Sequence, residues 1–358
     1  MTVTTFPFAA FKDSIERQAF LESPTDNFGV SMRLKLWTST GLLVLVLLLL
    51  TSRAAGSPYQ RKICTEPTKD VPYSCGTRPL FPDSRQKSTK ILGGHDAAYG
   101  SNPWQANLYA KMEDESTIRF CGGTILNEYW VLTAGHCDID GAIEFFIYVG
   151  DNYLGYDYEE EEQRLTVEKI ILHEKFLHIP ETNTSKFTIR NDIALMKIKP
   201  VNGRGIQFGN YVQPACLPDA DTKLKPDQKF TISGWGMTKP DVSPDTLQET
   251  LVTLKDTYGY CTFNKKDKNY NPDLMLCAPT LNNNTCRGDS GGPLVANVNG
   301  VYQVFGVTSY GFGECKFVVS YFTKVQAYLD WIYFNIMNNS ENDGEKFLPS
   351  SPTFQKIM

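Results

Sequence analysis

The stretch TCRGDSGGP, residues 285–293, surrounds a single hydroxyl with small and acidic residues. Ser290 follows Asp289 and precedes Gly291 and Gly292. Glycine adopts backbone conformations closed to other residues, so this composition indicates a segment shaped to present one side chain. A serine becomes a nucleophile beside a general base, an acid that orients the base, and donors for an oxyanion. We therefore look for a histidine and a fixed carboxylate elsewhere in the chain.

Four histidines could supply the base: His95, His136, His173 and His178. His136 ends an apolar stretch in VLTAGHC, beside a cysteine, which is a crowded place that anchors an imidazole. His173 and His178 flank EKFL and are interpreted as loop residues, with a spacing that suits no metal site. Asp192, which precedes the alternating run IALMKIK, is the candidate acid. Taken singly, the aspartate and the serine also fit turns, and His136 fits a core position.

Composition and patterning indicate the elements that must position these groups. The 358 residues carry a formal net charge of -5, and no basic run predicts nucleic-acid binding. Short alternating runs such as KIILH and ALMKIK recur between turn residues, which predicts an all-β sandwich or barrel. The segment VQAYLDWIYFNIM predicts a late helix with one apolar face, formed by Val325, Leu329, Ile332, Tyr333 and Ile336.

The N-terminal region and the cysteines indicate the compartment. Nine cysteines without CxxC spacing favour an oxidising environment. From Met32, a basic stretch, an apolar core and small residues before Ser57 predict a signal peptide over 32–56 and a secreted, extracellular protein. The uncharged segment 36–52 is short for a membrane span, yet a signal anchor and a membrane-anchored protein stay open as the alternative.

The remaining segments follow from changes in composition. Residues 1–31 form an N-terminal extension of uncertain status, and 57–90 are a polar pro-segment or linker. An apolar, β-rich unit begins at Ile91 and extends over 91–337. The tail 338–358 has no periodicity and is expected to be disordered.

Seven motifs become specific when they are read together and in order. They are ILGG from Ile91, VLTAGHC around His136, NDIAL around Asp192, SGWG from Ser233, GDSGGP from Gly288, TSYG from Thr308 and FTKV from Phe322. Together they resemble the chymotrypsin/trypsin family of serine proteases over residues 91–337. The resemblance implies two six-stranded antiparallel β-barrels, with the site in the cleft between them. It also implies a serine endopeptidase that acts on proteins and peptides without a cofactor.

The resemblance assigns roles to the residues found above. Ser290 would be the nucleophile, His136 the base and Asp192 the acid that orients it, and the N–H groups of Gly288 and Ser290 would form the oxyanion hole. A runner-up interpretation is a protease-like binding protein that has lost turnover. Intact triad residues speak against it.

The same resemblance implies a zymogen. A trypsin-like protease would cleave after Lys90, and the new Ile91 amine would pair with the buried Asp289, because an unpartnered buried carboxylate is costly. Protein inhibitors of the serpin or another type are the expected partners besides substrates and the activator.

Cysteines and sequons add further expectations. The family pattern implies the disulfides Cys121–Cys137, Cys261–Cys277, Cys286–Cys315 and Cys75–Cys216, the last of which would keep the pro-segment attached. Cys64 has no assigned partner, and a Cys64–Cys75 bridge that frees Cys216 stays open. Sequons predict glycosylation at Asn183 and Asn338, but not at Asn283 beside the specificity pocket.

Specificity is where the chain departs from trypsin-like enzymes. The pocket floor corresponds to Asn284, where those enzymes carry aspartate, and a buried neutral floor does not repay the desolvation of an arginine or lysine. Gly311 and Ser320 correspond to the pocket walls, and Ser309 and Tyr310 to the adjoining substrate strand. We expect medium-sized apolar or polar residues to fit. Glu314 near the rim keeps basic specificity open as a weaker alternative.

An acidic run also raises the question of a metal. Residues 151–163 match the loop where some relatives bind calcium, with Asp151 and Glu162 near the ligand positions. Oxygen-rich loops suit calcium, whereas a charge run is more often a solvated face. Calcium is therefore an open expectation, and no other cofactor is predicted.

Overall fold

Short β-strands dominate the chain wherever its structure is described. The computed structural model describes residues 74–81, 94–154, 159, 161–182, 187–225, 228–238, 242–254, 261, 269–280, 285–311 and 318–340. All of them fall within the unit formed by residues 56–358. The predicted leader, Cys64, Lys90 and Ile91 lie outside the described residues. No helix of the described residues is long and apolar enough to cross a membrane.

Six strands close into an antiparallel barrel in the order β2-β3-β4-β9-β6-β5. They are β2 (Gln105–Met112), β3 (Thr117–Asn127), β4 (Trp130–Thr133), β5 (Ala142–Val149), β6 (Gln163–Leu172) and β9 (Ala194–Ile198). Closure leaves the barrel without an unpaired edge. The alternation in ALMKIK predicts one exposed face for β9, but the structure buries all five of its residues. β9 lies between β4 and β6 in the barrel wall, and its residues Leu195, Met196 and Ile198 belong to the buried cluster that the barrel shares with the C-terminal helix, so apolar residues cover both faces of the strand.

A second sheet has seven strands in the order β1-β11-β10-β13-β14-β15-β12. They are β1 (His95–Asp96), β10 (Lys229–Gly234), β11 (Gln248–Thr253), β12 (Met275–Thr280), β13 (Pro293–Val298), β14 (Val301–Gly311) and β15 (Val318–Lys324). The all-β expectation is thus confirmed. In the described residues the second sheet is an open half-barrel, to which the two-residue strand β1 adds a seventh strand.

Two smaller elements complete the fold. A hairpin of β7 (Leu177–Ile179) and β8 (Thr188–Arg190) stands apart from both sheets. The C-terminal helix begins after a 3-10 turn over Val325–Tyr328 and continues as α1 (Leu329–Asn338). All five residues predicted for its apolar face are at most 5% exposed. The helix was predictable because its stripe repeats with the helical period.

The barrel and the helix share one apolar core. Trp104, Trp130 and Ile332 belong to the same buried cluster, each at most 1% exposed. The second sheet has its own core around Phe230, Phe305 and Phe322. Each fully buried apolar side chain of this kind stabilises the fold by about 1.5–3 kcal/mol. These cores therefore hold the facing edges of the barrel and of the second sheet in fixed positions.

Three of the four disulfides implied by the family pattern are present: Cys75–Cys216, Cys121–Cys137 and Cys261–Cys277. Cys286 is disulfide-bonded too, to a residue outside the described part of the chain. The first bridge spans 141 residues and anchors the segment 74–81. Gly76 reinforces it by donating to the Pro214 carbonyl at 2.7 Å and accepting from the Tyr302 N–H at 2.9 Å. The Cys64–Cys75 alternative is therefore wrong in this structure.

Candidate active site

His136 lies just beyond the end of β4, in a 3-10 turn over Gly135–Cys137. The disulfide to Cys121 in β3 fixes the end of this turn. The imidazole is 18% exposed, so one edge faces the solvent. A turn that is stapled on one side and continuous with a buried strand on the other leaves the ring few orientations, which is what a general base requires.

Asp192 holds the other side of the imidazole. Its carboxylate is 2% exposed and accepts hydrogen bonds from the backbone N–H of His136 at 2.9 Å and from Ser309 Oγ at 2.6 Å. Asp192 Oδ2 also lies 2.8 Å from His136 Nδ1. The Asp192 carbonyl accepts from Thr323 Oγ1 at 2.6 Å. With these partners the carboxylate is fixed, and the proton of the ring is directed to Nδ1.

Ser309, which the resemblance assigns to the substrate strand, directs its hydroxyl at Asp192. The register of β14 against β15 shifts between Thr308 and Tyr310, so Ser309 is the bulged residue. A bulge re-aims a side chain that would otherwise follow the alternation of the strand. No local pattern signals this contact, because the partner lies 117 residues away.

The electrostatics of the pair follow from burial and mutual attraction. Burial lowers the pKa of His136, but the charge of Asp192 and the hydrogen bond to it raise the pKa by more, so the net shift is upward. Burial alone would raise the pKa of Asp192. The charge and hydrogen bonds of His136, together with the Ser309 hydroxyl, lower it below its usual value. The site therefore combines an ionised acid with a histidine of increased basicity.

Backbone contacts between the loop that carries Ser290 and the first barrel bring this loop close to the turn of His136. Its carbonyl accepts from the Gly122 N–H in β3 at 2.7 Å. Gly291, at φ +74°, packs so closely that a Cβ would lie 2.2 Å from Thr133 Oγ1 and 3.1 Å from Cys137 Sγ. These two residues flank the turn of His136, so only glycine lets the serine loop approach the histidine turn.

The N–H groups predicted to bind an oxyanion belong to Gly288 and Ser290. Gly288 has φ +98°, a conformation that side chains rarely adopt and that turns its amide away from the usual direction. Within the described part of the chain, the N–H groups of Gly288 and Ser290 donate to no other group. No hydrogen bond joins the Ser290 hydroxyl to His136 in these residues, a gap of the kind that closes when substrate binds.

Asp289 is a second buried carboxylate, in a different environment. Its two oxygens accept from the N–H groups of Gly236 and Cys286, both at 2.8 Å. Burial raises its pKa to about 6, although these two donors and the nearby charge of Arg119 act in the opposite direction. Gly236 permits the contact, because a Cβ there would lie 2.3 Å from the carboxyl carbon.

Of the two residues predicted to form the pocket walls, Gly311 is exposed and Ser320 is buried. Ser320 is 1% exposed, and its Oγ accepts from the Thr285 N–H at 3.2 Å and lies 2.8 Å from Thr285 Oγ1. In the sheet it pairs with Ala278 on one side and Gly311 on the other. The polar side chain is therefore directed at the base of the serine loop. The predicted floor residue Asn284 lies outside the described residues.

A row of aromatic rings beside His136 was not predicted from the sequence. The ring centroids of Phe187 and Tyr310 are 5.6 Å apart, and Tyr310 stacks on Tyr321 at 4.7 Å. His178 joins this row, with its centroid 6.0 Å from Phe187 and 6.2 Å from His136. Nothing in the local sequence signals this contact, since it depends on where the β7–β8 hairpin folds.

The acidic residues considered for calcium, Asp151 and Glu162, are both half-buried. Burial raises the pKa of Asp151 to about 7, and the charges of Glu162 and Glu159 raise it further against a hydrogen bond from Asn107. Among the described residues, the one group of three potential ligand atoms within 4.8 Å of each other is Cys121, His136 and Cys137. Its two sulfurs are joined in a disulfide. Asp151 and Glu162 belong to no such group within the described residues, and calcium stays a prediction.

Comparisons with known proteins agree with this arrangement. The family model described as Trypsin matches residues 91–332. The tissue-type plasminogen activators of Pongo abelii and Homo sapiens are each 36% identical over 285 residues, covering 75% of this chain and 48% of theirs. The chain thus spans about half the length of these curated relatives. The match covers more than half of the chain, including His136, Asp192 and Ser290, and the chain belongs to the trypsin family of serine endopeptidases.

Proposed function

We propose that this protease hydrolyses peptide bonds through His136, Asp192 and Ser290. The observation that carries the proposal is the buried contact of Asp192 with both His136 Nδ1 and Ser309 Oγ, at 2.8 and 2.6 Å. Nδ1 keeps its proton toward Asp192, which leaves the lone pair of Nε2 for the proton of the serine. This is the Ser-His-Asp mechanism known for the family.

The steps follow from the positions of the groups. Ser290 Oγ attacks the scissile carbonyl while Nε2 of His136 takes its proton, and the charge on the carbonyl oxygen develops toward the N–H groups of Gly288 and Ser290. The imidazolium then protonates the leaving amine, and the acyl-enzyme forms. Water, deprotonated by the same histidine, attacks the acyl carbon and releases Ser290. Asp192 stays ionised throughout and stabilises the imidazolium.

We infer that the chain is made as an inactive precursor. In the described residues, Asp289 accepts two backbone N–H groups but forms no ion pair, and its pKa is raised to about 6. A cleavage after Lys90 by a trypsin-like protease would supply the Ile91 amine as a cation for this carboxylate. Since Asp289 adjoins Gly288 and Ser290, the pairing would order the oxyanion hole and the nucleophile together.

The substrate class is a protein or peptide, and we propose that the residue before the scissile bond is neither arginine nor lysine. Asn284 carries no charge, and Ser320 fills part of the wall with a side chain that is already bonded to Thr285. The relatives act, by name, on plasminogen. We do not extend that substrate to this chain, which spans about half of their length and has this altered pocket.

We further propose secretion. The predicted signal peptide over 32–56 is consistent with the three disulfides of the described residues, which require an oxidising compartment. Of the two glycosylation candidates, Asn338 is exposed at the end of α1, where a glycan is accommodated. Asn183 lies outside the described residues.

Active-site labelling tests the nucleophile. The full chain cleaved after Lys90 is expected to react with a fluorophosphonate probe, because an activated serine attacks phosphorus, and Ser290→Ala is expected to abolish the reaction. Ser116→Ala removes an exposed hydroxyl in the β2–β3 turn and serves as the matched control. Persistent labelling of Ser290→Ala, or none of the cleaved wild type, would contradict the assignment.

The activation mechanism predicts a defect that cleavage does not repair. Asp289→Asn removes the charge that would bind the Ile91 amine, and its amide NH₂ would face one of the two backbone N–H donors. The kcat/KM after cleavage is therefore expected to fall at least about 100-fold, which is the loss typical of one oxyanion donor. Asp273→Asn, at an exposed carboxylate, is the control. Equal turnover of cleaved wild type and Asp289→Asn, with Ile91 confirmed as the N-terminus by sequencing, rules the mechanism out.

The raised pKa of His136 predicts the acid limb of the pH profile. Activity requires the neutral imidazole, so kcat/KM of the wild type is expected to fall as the pH decreases through a value above the ordinary 6.5. Asp192→Asn removes the charge that raises this pKa, so its residual activity should extend to lower pH while kcat drops sharply. Asp140→Asn, an exposed carboxylate near the same turn, should leave the limb in place. An unmoved limb in Asp192→Asn would show that another group titrates.

The pocket predicts a change of specificity from one added charge. Peptides with arginine or lysine before the scissile bond are expected to be poor substrates, and Asn284→Asp is expected to raise their kcat/KM because a buried cation gains a partner. Asn283→Asp adds the same charge one residue earlier and should not. A wild-type enzyme that already prefers arginine or lysine would show the pocket assignment to be wrong.

A further inference from the structure

His178 stands beside the base of the proposed triad, although no step of the mechanism uses it. Its ring centroid lies 6.2 Å from that of His136, at an interplanar angle of 52°. The side chain is exposed, at the centre of β7, where it pairs in register with Ile189 of β8. Strand β8 ends at Arg190, two residues before Asp192, so the hairpin is tied by a short link to the acid that holds His136.

The surroundings of the two rings resemble those of ligands more than those of a solvated surface pair. His136 Nδ1 is bonded to the buried Asp192 carboxylate at 2.8 Å, which leaves Nε2 as the free lone pair. A histidine that binds a metal almost always has such a carboxylate or carbonyl on its other nitrogen, because the contact fixes the tautomer and increases the basicity of the ligand. Phe187 packs edge-on to His178, with the ring centroids 6.0 Å apart.

The spacing of the rings fits a bridging ion. Zinc binds imidazole nitrogen at about 2.0–2.1 Å, and an ion held by one nitrogen of each ring sets the ring centres about 5–6 Å apart. A small rotation of the exposed His178 therefore brings the observed centroid distance of 6.2 Å into this range. The two disulfide-bonded cysteines next to His136 offer no thiolate, so water would complete the coordination.

We propose that His136 and His178 form a binding site for a divalent transition-metal ion such as Zn²⁺, and that the bound ion reversibly inhibits the enzyme. Coordination occupies the Nε2 lone pair of His136, so the imidazole is unable to accept the proton of Ser290. Imidazole pairs select zinc over calcium or magnesium, which prefer oxygen ligands. The metal site rests on the geometry of the two rings, whereas its inhibitory effect rests on the proposed role of His136 as the general base.

The experiment separates binding from inhibition. Zinc binding to the Lys90-cleaved full chain carrying Ser290→Ala is measured by isothermal titration calorimetry, with and without His178→Gln. His178→Gln is expected to weaken zinc binding about 10–100-fold, since even the loss of a supporting group costs metal sites that much. His95→Gln, a histidine on β1 that contacts Glu249 instead, is the matched control and should bind zinc as before. Equal zinc affinity with and without His178→Gln would overturn the site.

Inhibition is followed by fluorophosphonate labelling of the cleaved protein with an active Ser290. Zinc is expected to slow labelling of the wild type and of His95→Gln, to slow His178→Gln far less, and a chelator should restore the rate. Calcium at the same concentration should have no effect. Zinc that binds through His178 without slowing labelling would overturn the inhibitory part. Absence of labelling without any zinc would contradict the proposed protease mechanism, while the calorimetry still decides the metal site.

Discussion

The buried carboxylate of Asp192 is the constraint on which the arrangement of the site depends. It accepts from the N–H and the ring of His136 in the first barrel's turn, and from Ser309 on β14 of the second sheet. Its carbonyl accepts from Thr323 on β15. A carboxylate that is 2% exposed tolerates no loss of these partners without a large cost in stability. The two β units are therefore held in one relative position by the same group that orients the base.

A second buried carboxylate shows what changes when no cation is present. Asp192 faces an imidazole and its pKa is lowered, whereas Asp289 has two backbone N–H donors and its pKa is raised to about 6. Burial raises the pKa of both carboxyls, so the difference in the net shift comes from the charges and hydrogen bonds of their neighbours. Asp192 has its charged partner within the fold, whereas under the proposed activation mechanism the Ile91 amine would supply one for Asp289. This asymmetry gives a physical reason for coupling the serine loop to a cleavage event.

The sequence predicted those features that depend on residues close together in the chain. The stripe from Val325 to Ile336 predicted the C-terminal helix, and the small residues around Ser290 predicted a shaped loop. The sequence did not predict the bulge that turns Ser309 toward Asp192, nor the burial of every residue in β9. Both depend on partners far along the chain, since the Ser309 contact spans 117 residues and β9 owes its burial to flanking strands. Patterns of two or four residues carry no information about such pairings.

His178 illustrates the same limit at a position with chemical consequences. In the sequence it is an ordinary polar residue of a loop, and its importance arises only because the β7–β8 hairpin returns toward the turn of His136. Asp192 makes His136 a stronger base by stabilising its protonated form, and the same electron donation makes Nε2 a stronger ligand. In the proposed metal site, the second imidazole, that of His178, would use the same basicity that the proposed mechanism requires of His136.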